Sequence, residues 1–330
     1  TLFRSLAREA LAVNEKVYGP KSVGYARSLD ALGVLLAAQG DTADADQAHA
    51  RALEIRREVL GSRHPDVASS LNNLGMRKLD SGLFTAAEKL IQEAVDIQRE
   101  VAGLDSAPTL VFMNNLARAR EGSGDVAGAE KLYREVIERR RQVLGKESVY
   151  VGVTEYYLSR LLRDSGRAPE AEPVQRESAA IMKAALGDSH AQTFLMELEL
   201  AEVLTAVEKY AAAESLATSV RERAAAAMGP ESRLVLEAGT VLGRALTAAG
   251  KPSQAATMLA ETVAKGEKVL SEAGLGYARI SHGAALAAAG SERDGRAEIE
   301  AVRSAFVTKY GPNHRTSRLA ARELASLNGR

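Results

Sequence analysis

The sequence predicts an all-α protein, an α-solenoid of stacked antiparallel helix pairs, and three observations predict it. Glycine punctuates the chain at a fixed interval: Gly19, Gly61, Gly103, Gly145, Gly187 and Gly229 follow at steps of 42, Ser271 stands at the next step, and Gly311 comes 40 later. A second marker falls inside each interval, at Gly40, Gly82, Gly124, Gly166, Gly250 and Gly290, with Glu208 in its place in the fifth. Between the markers a large apolar residue stands before a small one in the first half of the repeat, and an alanine recurs in the second half. One helical hairpin cannot bury its apolar face alone, so successive ones must stack.

The elements follow in order. A leading helix over 1–18 precedes repeats 19–60, 61–102, 103–144, 145–186, 187–228, 229–270 and 271–310, and a closing helix occupies 311–330, so the spacing leaves no room for a separate domain. Each helix pair ends on an apolar or small residue followed by the marker (Tyr18, Leu60, Ala102, Leu144, Leu186, Met228, Leu270, Tyr310). This is how a helix stops, with a glycine free to take positive φ. Three residues on, Ser22, His64, Ser106, Ser148, His190, Ser232 and His314 occupy the expected N-cap of the next helix, and Pro65 suits a first helical position.

Within each pair, Leu32, Leu74, Leu116, Leu158, Leu200 and Leu242 are followed by Gly33, Gly75, Ala117, Ser159, Ala201 and Gly243. Ala45, Ala87, Ala129, Ala171, Ala213 and Ala255 answer from the second helix, with Ile91, Tyr133 and Leu259 one turn along the same face. Helices can thus cross at small residues and interlock at large ones. Glu155, Glu197 and Gly239 depart from the pattern, standing where earlier repeats carry Leu29, Leu71 and Met113.

Composition narrows the function classes. Among 330 residues, 43 basic and 43 acidic side chains cancel, so no global charge favours nucleic acid or an anionic membrane. The absence of cysteine excludes disulfides, a thiol nucleophile and a Cys-based zinc site. No apolar run is long enough to span a bilayer, and Thr1-Leu2-Phe3-Arg4 does not resemble a signal peptide, which makes a cytoplasmic setting the default. The chain opens within its leading helix, as a segment of a longer protein would.

The order large-apolar, x, x, Leu, small, then Gly at the turn and Ala in the second helix resembles the tetratricopeptide repeat. The 42-residue spacing, with HPDVA, LNNLG and GLFTAAEKL, is similar to the kinesin-light-chain type, whose repeats exceed the usual 34. The resemblance implies a right-handed superhelix whose first helices line a concave groove, and protein or peptide binding in it. Similar arrays are often joined to effector domains as sensors or scaffolds, and none is present here. The alternative to a free-standing scaffold is therefore a regulatory repeat segment acting by intramolecular contact or self-association.

On that geometry the groove positions are Asn72, Asn73, Met76 and Leu79 in the second repeat, Asn114, Asn115, Arg118 and Glu121 in the third, and Tyr156, Tyr157, Arg160 and Arg163 in the fourth. Asparagine can donate to and accept from a peptide backbone, arginine can fork a carboxylate, and tyrosine offers area with a polar tip. An acidic segment with an aromatic anchor would fit. Against this, Arg118, Arg160 and Arg163 could form a solvated face paired with Glu121, Asp164 or other acids. Further on, Leu198, Glu199, Glu202, Thr240, Val241, Arg244, Ile280, Ser281 and Ala284 give a smoother, less basic stretch suited to an apolar or intramolecular contact.

Catalytic and metal readings find little support, and no cofactor is expected. His64, His190 and His314 share one position on separate repeats and suit capping. His49 with Asp46 reads as a surface pair, and His282, where other repeats carry Leu, as a partly buried imidazole bonded to backbone. No HExxH, Walker or Gly-x-Ser-x-Gly motif occurs, so an enzyme is not expected. The seventh repeat, two residues short with Gly274 and Gly276 near its helix start, is expected to lack a cap and to hinge, and Pro173 is expected to bend the second helix of the fourth repeat.

Overall fold

The computed structural model describes residues 2–38 and 41–328, so the marker Gly40 lies outside the described residues. Among these the chain forms sixteen α-helices: α1 (Leu2–Tyr18), α2 (Val23–Ala38), α3 (Thr42–Leu60), α4 (Pro65–Asp80), α5 (Phe84–Ala102), α6 (Ala107–Ser123), α7 (Val126–Leu144), α8 (Val149–Asp164), α9 (Ala168–Leu186), α10 (Ala191–Ala206), α11 (Tyr210–Met228), α12 (Arg233–Ala248), α13 (Pro252–Gly266), α14 (Glu272–Ala288), α15 (Glu292–Tyr310) and α16 (Arg315–Asn328). They group into two compact units that divide between Leu132 and Tyr133, within α7.

The helices start and stop close to the punctuation, except that α13 ends at Gly266, four residues before Leu270. At the hairpin turns the chain reverses through a Schellman motif. Gly82 N–H donates to Leu79 O and Leu83 N–H to Lys78 O, with Gly82 at φ 74°. The fifth repeat builds the same turn without glycine. Glu208 N–H donates to Thr205 O, Lys209 N–H donates to Leu204 O, and Glu208 itself takes φ 62°. At the other junction His64 and His190 accept through Nδ1 from Asp66 N–H (3.1 Å) and Gln192 N–H (3.2 Å), and Ser106 accepts from Thr109 N–H (3.3 Å). Ser232 holds the N-cap position of α12, but its buried Oγ makes no hydrogen bond to a described residue.

One local expectation changes. The seventh repeat is capped after all: its shortening brings Ser271 to the start of α14, where Oγ accepts from Gly274 N–H at 3.2 Å. Pro173 lies inside α9, which runs on through it as one helix.

In unit 1, α4 and α5 illustrate how a pair closes. Leu74, Ala87 and Ile91 are buried, and a Cβ on Gly75 would stand 2.4 Å from Ile91 Cγ1 and 3.3 Å from Ala87 O, so only a residue without one lets the helices approach so closely. The unit's first pair is cored by Ala26, Leu29, Ala52 and Ile55, with Leu32, Leu36 and Ala45 beside them. His49 belongs to this interior. It is 2% exposed, its ring lies where a Cβ on Gly33 would fall, and Nδ1 is 2.9 Å from Asp30 Oδ1. The surface pair with Asp46 is thus corrected: His49 occupies the interlocking position that Ile91 fills one repeat later, and Asp46 instead binds Arg77 (3.3 Å) and Lys78 (2.6 Å).

Unit 2 is cored by Phe194, Leu198, Leu234, Leu242, Leu246 and Leu259 in its middle and by Ile280, Ile299, Phe306, Leu319 and Leu324 at its end. The departures Glu155 and Glu197 are buried there and ion-paired to arginines of the second helices, Glu155 with Arg141 at 2.6 Å and Glu197 with Arg223. Burial pushes Glu155 up to about 7, against the pull of Arg141. His282 is bonded to the Glu298 carboxylate (2.7 Å) rather than to backbone.

Candidate functional site

In unit 1 the predicted positions meet across neighbouring first helices. Asn115 Nδ2 on α6 donates to Asn72 Oδ1 on α4 at 3.0 Å, and one turn along Arg118 Nη1 lies 3.8 Å from Met76 Sδ. Asn73 is exposed beside this pair, Met76, Asn115 and Arg118 are half-buried, and Leu79 and Glu121 are buried. Asn72 and Asn114 are also buried, and Asn114 Oδ1 makes no hydrogen bond to a described residue.

In unit 2 the predicted tyrosines form an aromatic platform. Tyr157 stacks on Tyr133 (centroids 6.1 Å apart, planes 7° apart) and meets Tyr156 edge-on at 5.2 Å, while Arg160 lies over both Tyr156 (5.7 Å) and Tyr157 (5.2 Å). Such geometry satisfies the ring quadrupoles and a cation together.

Arg163 is different. It is buried, with Asp164 Oδ1 at 3.1 Å, Glu199 Oε1 at 3.1 Å and Glu202 Oε2 at 3.4 Å. Glu202 also accepts from Tyr277 Oη at 2.6 Å and pairs with Arg244 at 3.3 Å, which reaches Glu323 on α16 at 3.3 Å. Arg315, the first residue of α16, donates through Nε to Asp164 Oδ2 at 3.0 Å. Arg163 is therefore neither a solvated cation nor a free donor for an acidic ligand. The supposedly smoother half of the face supplies its counter-charges, Glu199 and Glu202.

The electrostatics follow from burial and mixed charge. Burial alone would raise Asp164, but Arg315 and Arg163 outweigh it and hold the carboxyl well below the usual carboxylate range. Burial likewise opposes ionisation of Glu202, which Arg244 and Arg163 bring below its ordinary value. For Glu199 burial wins, lifting it to about 7 against Arg163 and Arg315. The Tyr277 hydroxyl is raised, by burial first. Tyr277, Arg315 and Glu323 carry no sequence signal for this role, because each meets residues several repeats away.

Among the described residues no group of three or more His, Asp or Glu is placed to hold a metal ion, and no helix is long and apolar enough to cross a membrane. Fold and surface together define a repeat protein of stacked helix pairs with polar first-helix faces. Four overlapping segments, residues 4–58, 33–100, 78–142 and 105–184, match the tetratricopeptide repeat, and together they cover more than half of the sequence. The chain belongs to that family.

Among solved structures, a Podosopora anserina chain described as kinesin light chain nearly identical TPR-like repeats is 25% identical over 62% of this chain and 97% of its own, with a TM-score of 0.55. Aspartyl phosphate phosphatase F from Bacillus subtilis shares the fold at a TM-score of 0.71 and 11% identity, over 91% of this chain and 75% of its own. A Rap protein complexed with Competence and Sporulation Factor shares it at 0.54 and 10% identity, over 99% and 98%. No curated protein matches this sequence.

Proposed function

We propose that this protein is a non-catalytic recognition scaffold that binds a peptide segment of a partner through the first-helix face of unit 1. The observation that carries this reading is the Asn72–Asn115 amide pair with Arg118 and Met76 in step beside it. Side-chain amides in register across adjacent helices can take up both the N–H and the C=O of an extended backbone, and Arg118 adds a charged donor for an acidic side chain. Asn73 and Asn114 complete this face. The platform of Tyr156, Tyr157 and Arg160 in unit 2 is a surface of its own suited to an aromatic side chain, while Arg163 serves only to hold the fold. Support of a general kind comes from the tetratricopeptide fold and from a Rap protein that carries it in complex with a factor.

A random peptide display on the whole chain tests the proposal. Selected peptides are expected to lose about 5–30-fold in affinity with Asn73→Ala or Arg118→Ala, on the order of 1–2 kcal/mol per charge-assisted or amide bond. Unchanged affinity in both variants refutes the site. A second reading, a regulatory repeat segment that works by intramolecular contact, is favoured by one observation: the ion pairs that α16 makes with α8 and α12.

A further inference from the structure

Nearest-neighbour stacking requires each helix pair of a solenoid to touch only the next. Three contacts in unit 2 go further. Tyr277 on α14 reaches past α12 to Glu202 on α10, Glu323 on α16 reaches past α14 to Arg244 on α12, and Arg315 on α16 reaches Asp164 at the end of α8, 151 positions back along the chain. The residues that converge are Asp164, Glu199, Glu202 and Glu323 on one side of the charge balance and Arg163, Arg244 and Arg315 on the other, with Arg160 acting on Asp164 from nearby. Arg315 also lies over the Tyr277 ring at 6.0 Å, and Arg244 over it at 5.2 Å.

We infer that α16 is an internal ligand of the unit 2 first-helix face, a clasp whose release frees that face for a helix presenting the same chemistry: an arginine and, about two turns on, a glutamate. Arg315 and Glu323, eight residues apart, define that spacing. The two ends of the clasp differ in kind. Along its length α16 is seated on α14 and α15 through Leu319, Ala320, Leu324 and Leu327, which pack with Ile280, Ile299, Val302 and Phe306. Its first turn adds charge to packing: Thr316 and Ser317 are buried there, while the Arg315 side chain is 41% exposed, so water and salt reach that ion pair. A competing arginine that takes Asp164 leaves no charge uncompensated in the cluster, because Glu199 and Glu202 remain paired with Arg163. This inference stands apart from the proposed unit 1 site, whose residues it does not involve.

The test uses the full chain and a synthetic peptide of residues 311–328. In Arg315→Gln, amide exchange over 315–328 is expected to quicken at least tenfold while α8 to α12 keep their protection, and that chain should bind the peptide at least tenfold more tightly than the unaltered chain does. The same peptide carrying Arg315→Gln should show no such gain, and adding Asp164→Asn to the chain should remove it. Glu323→Gln, which breaks the other end of the clasp at Arg244, serves as the second variant and should quicken exchange over the same residues. Unaltered exchange of α16 in both variants, or equal binding of the two peptides, overturns the inference.

Discussion

Replacing Glu208 by glycine should stabilise this protein, although no contact is added. Glu208 is an exposed residue held at φ 62°, in a turn whose five described counterparts are all glycine at positive φ. A side chain in the left-handed region costs roughly 1–2 kcal/mol. Glycine escapes that but loses more freedom on folding, a debit of about 0.5–1 kcal/mol. The net gain is on the order of 0.5–1 kcal/mol, and the two Schellman hydrogen bonds to Thr205 O and Leu204 O are unaffected. A solenoid need not unfold in one step, so the informative assay is native-state amide exchange in α10 and α11 rather than a single denaturation midpoint. Protection there should rise about two- to five-fold in Glu208→Gly. Glu208→Ala, which keeps the Cβ, should change it little. Equal protection in the two variants, or a loss in the glycine variant, would refute the argument that the backbone conformation and not the side chain sets the cost.

Other outcomes follow from the packing and the charges. Leu74→Ala should destabilise by about 2–5 kcal/mol, and Gly75→Ala by about 1–3 kcal/mol through the clash with Ile91. Combining Gly75→Ala with Ile91→Ala should cost less than the sum of the two, and additive denaturant midpoints would contradict the interlocking seen here. The stability of unit 2 should also depend on pH through Glu155 and Glu199, whose folded-state values of about 7 lie above the ordinary 4.5. The folded chain binds more protons between those values, so the favourable contribution is full below about 4.5 and is lost as pH rises through about 7. Melting at pH 5 should therefore exceed melting at pH 8. Glu155→Gln and Glu199→Gln should each flatten the difference, and slopes equal to the parent's would count against the burial argument.

The architecture was legible because its causes are local. A glycine that must take positive φ, a small residue where helices cross and a polar cap each leave a mark at a fixed offset, and 42-residue repetition multiplies the mark. Even the errors have local causes. His49 could have been placed in the interior by stepping 42 residues back from Ile91, and the cap on Ser271 is the serine at the shortened repeat's own marker. What stayed hidden is the charge network of unit 2. Arg315 and Asp164 meet only because five first helices bring the start of α16 to the end of α8, and no periodicity encodes a meeting 151 residues apart. Arg163 sits beside the next first helix, whose Glu199 and Glu202 are its partners, so its burial and neutralisation could not be read from its own repeat.

The two kinds of joint in this chain differ in what they tolerate. The hairpin turn is closed by two backbone hydrogen bonds that fix its length to the residue, and every described copy obeys it even when glycine is missing. The junction between successive pairs carries a side-chain cap at most copies, Ser232 being an exception, and the seventh repeat, two residues short there, simply recruits Ser271 and starts α14 at once. Length variation in such an array should therefore accumulate between hairpins and be purged within them. For anyone grafting a tag, a probe or a loop into this protein, the stretch 267–270, ahead of the Ser271 cap, is the place to cut, and the turns at Gly82, Gly124, Gly166 and Gly250 are the places to leave alone.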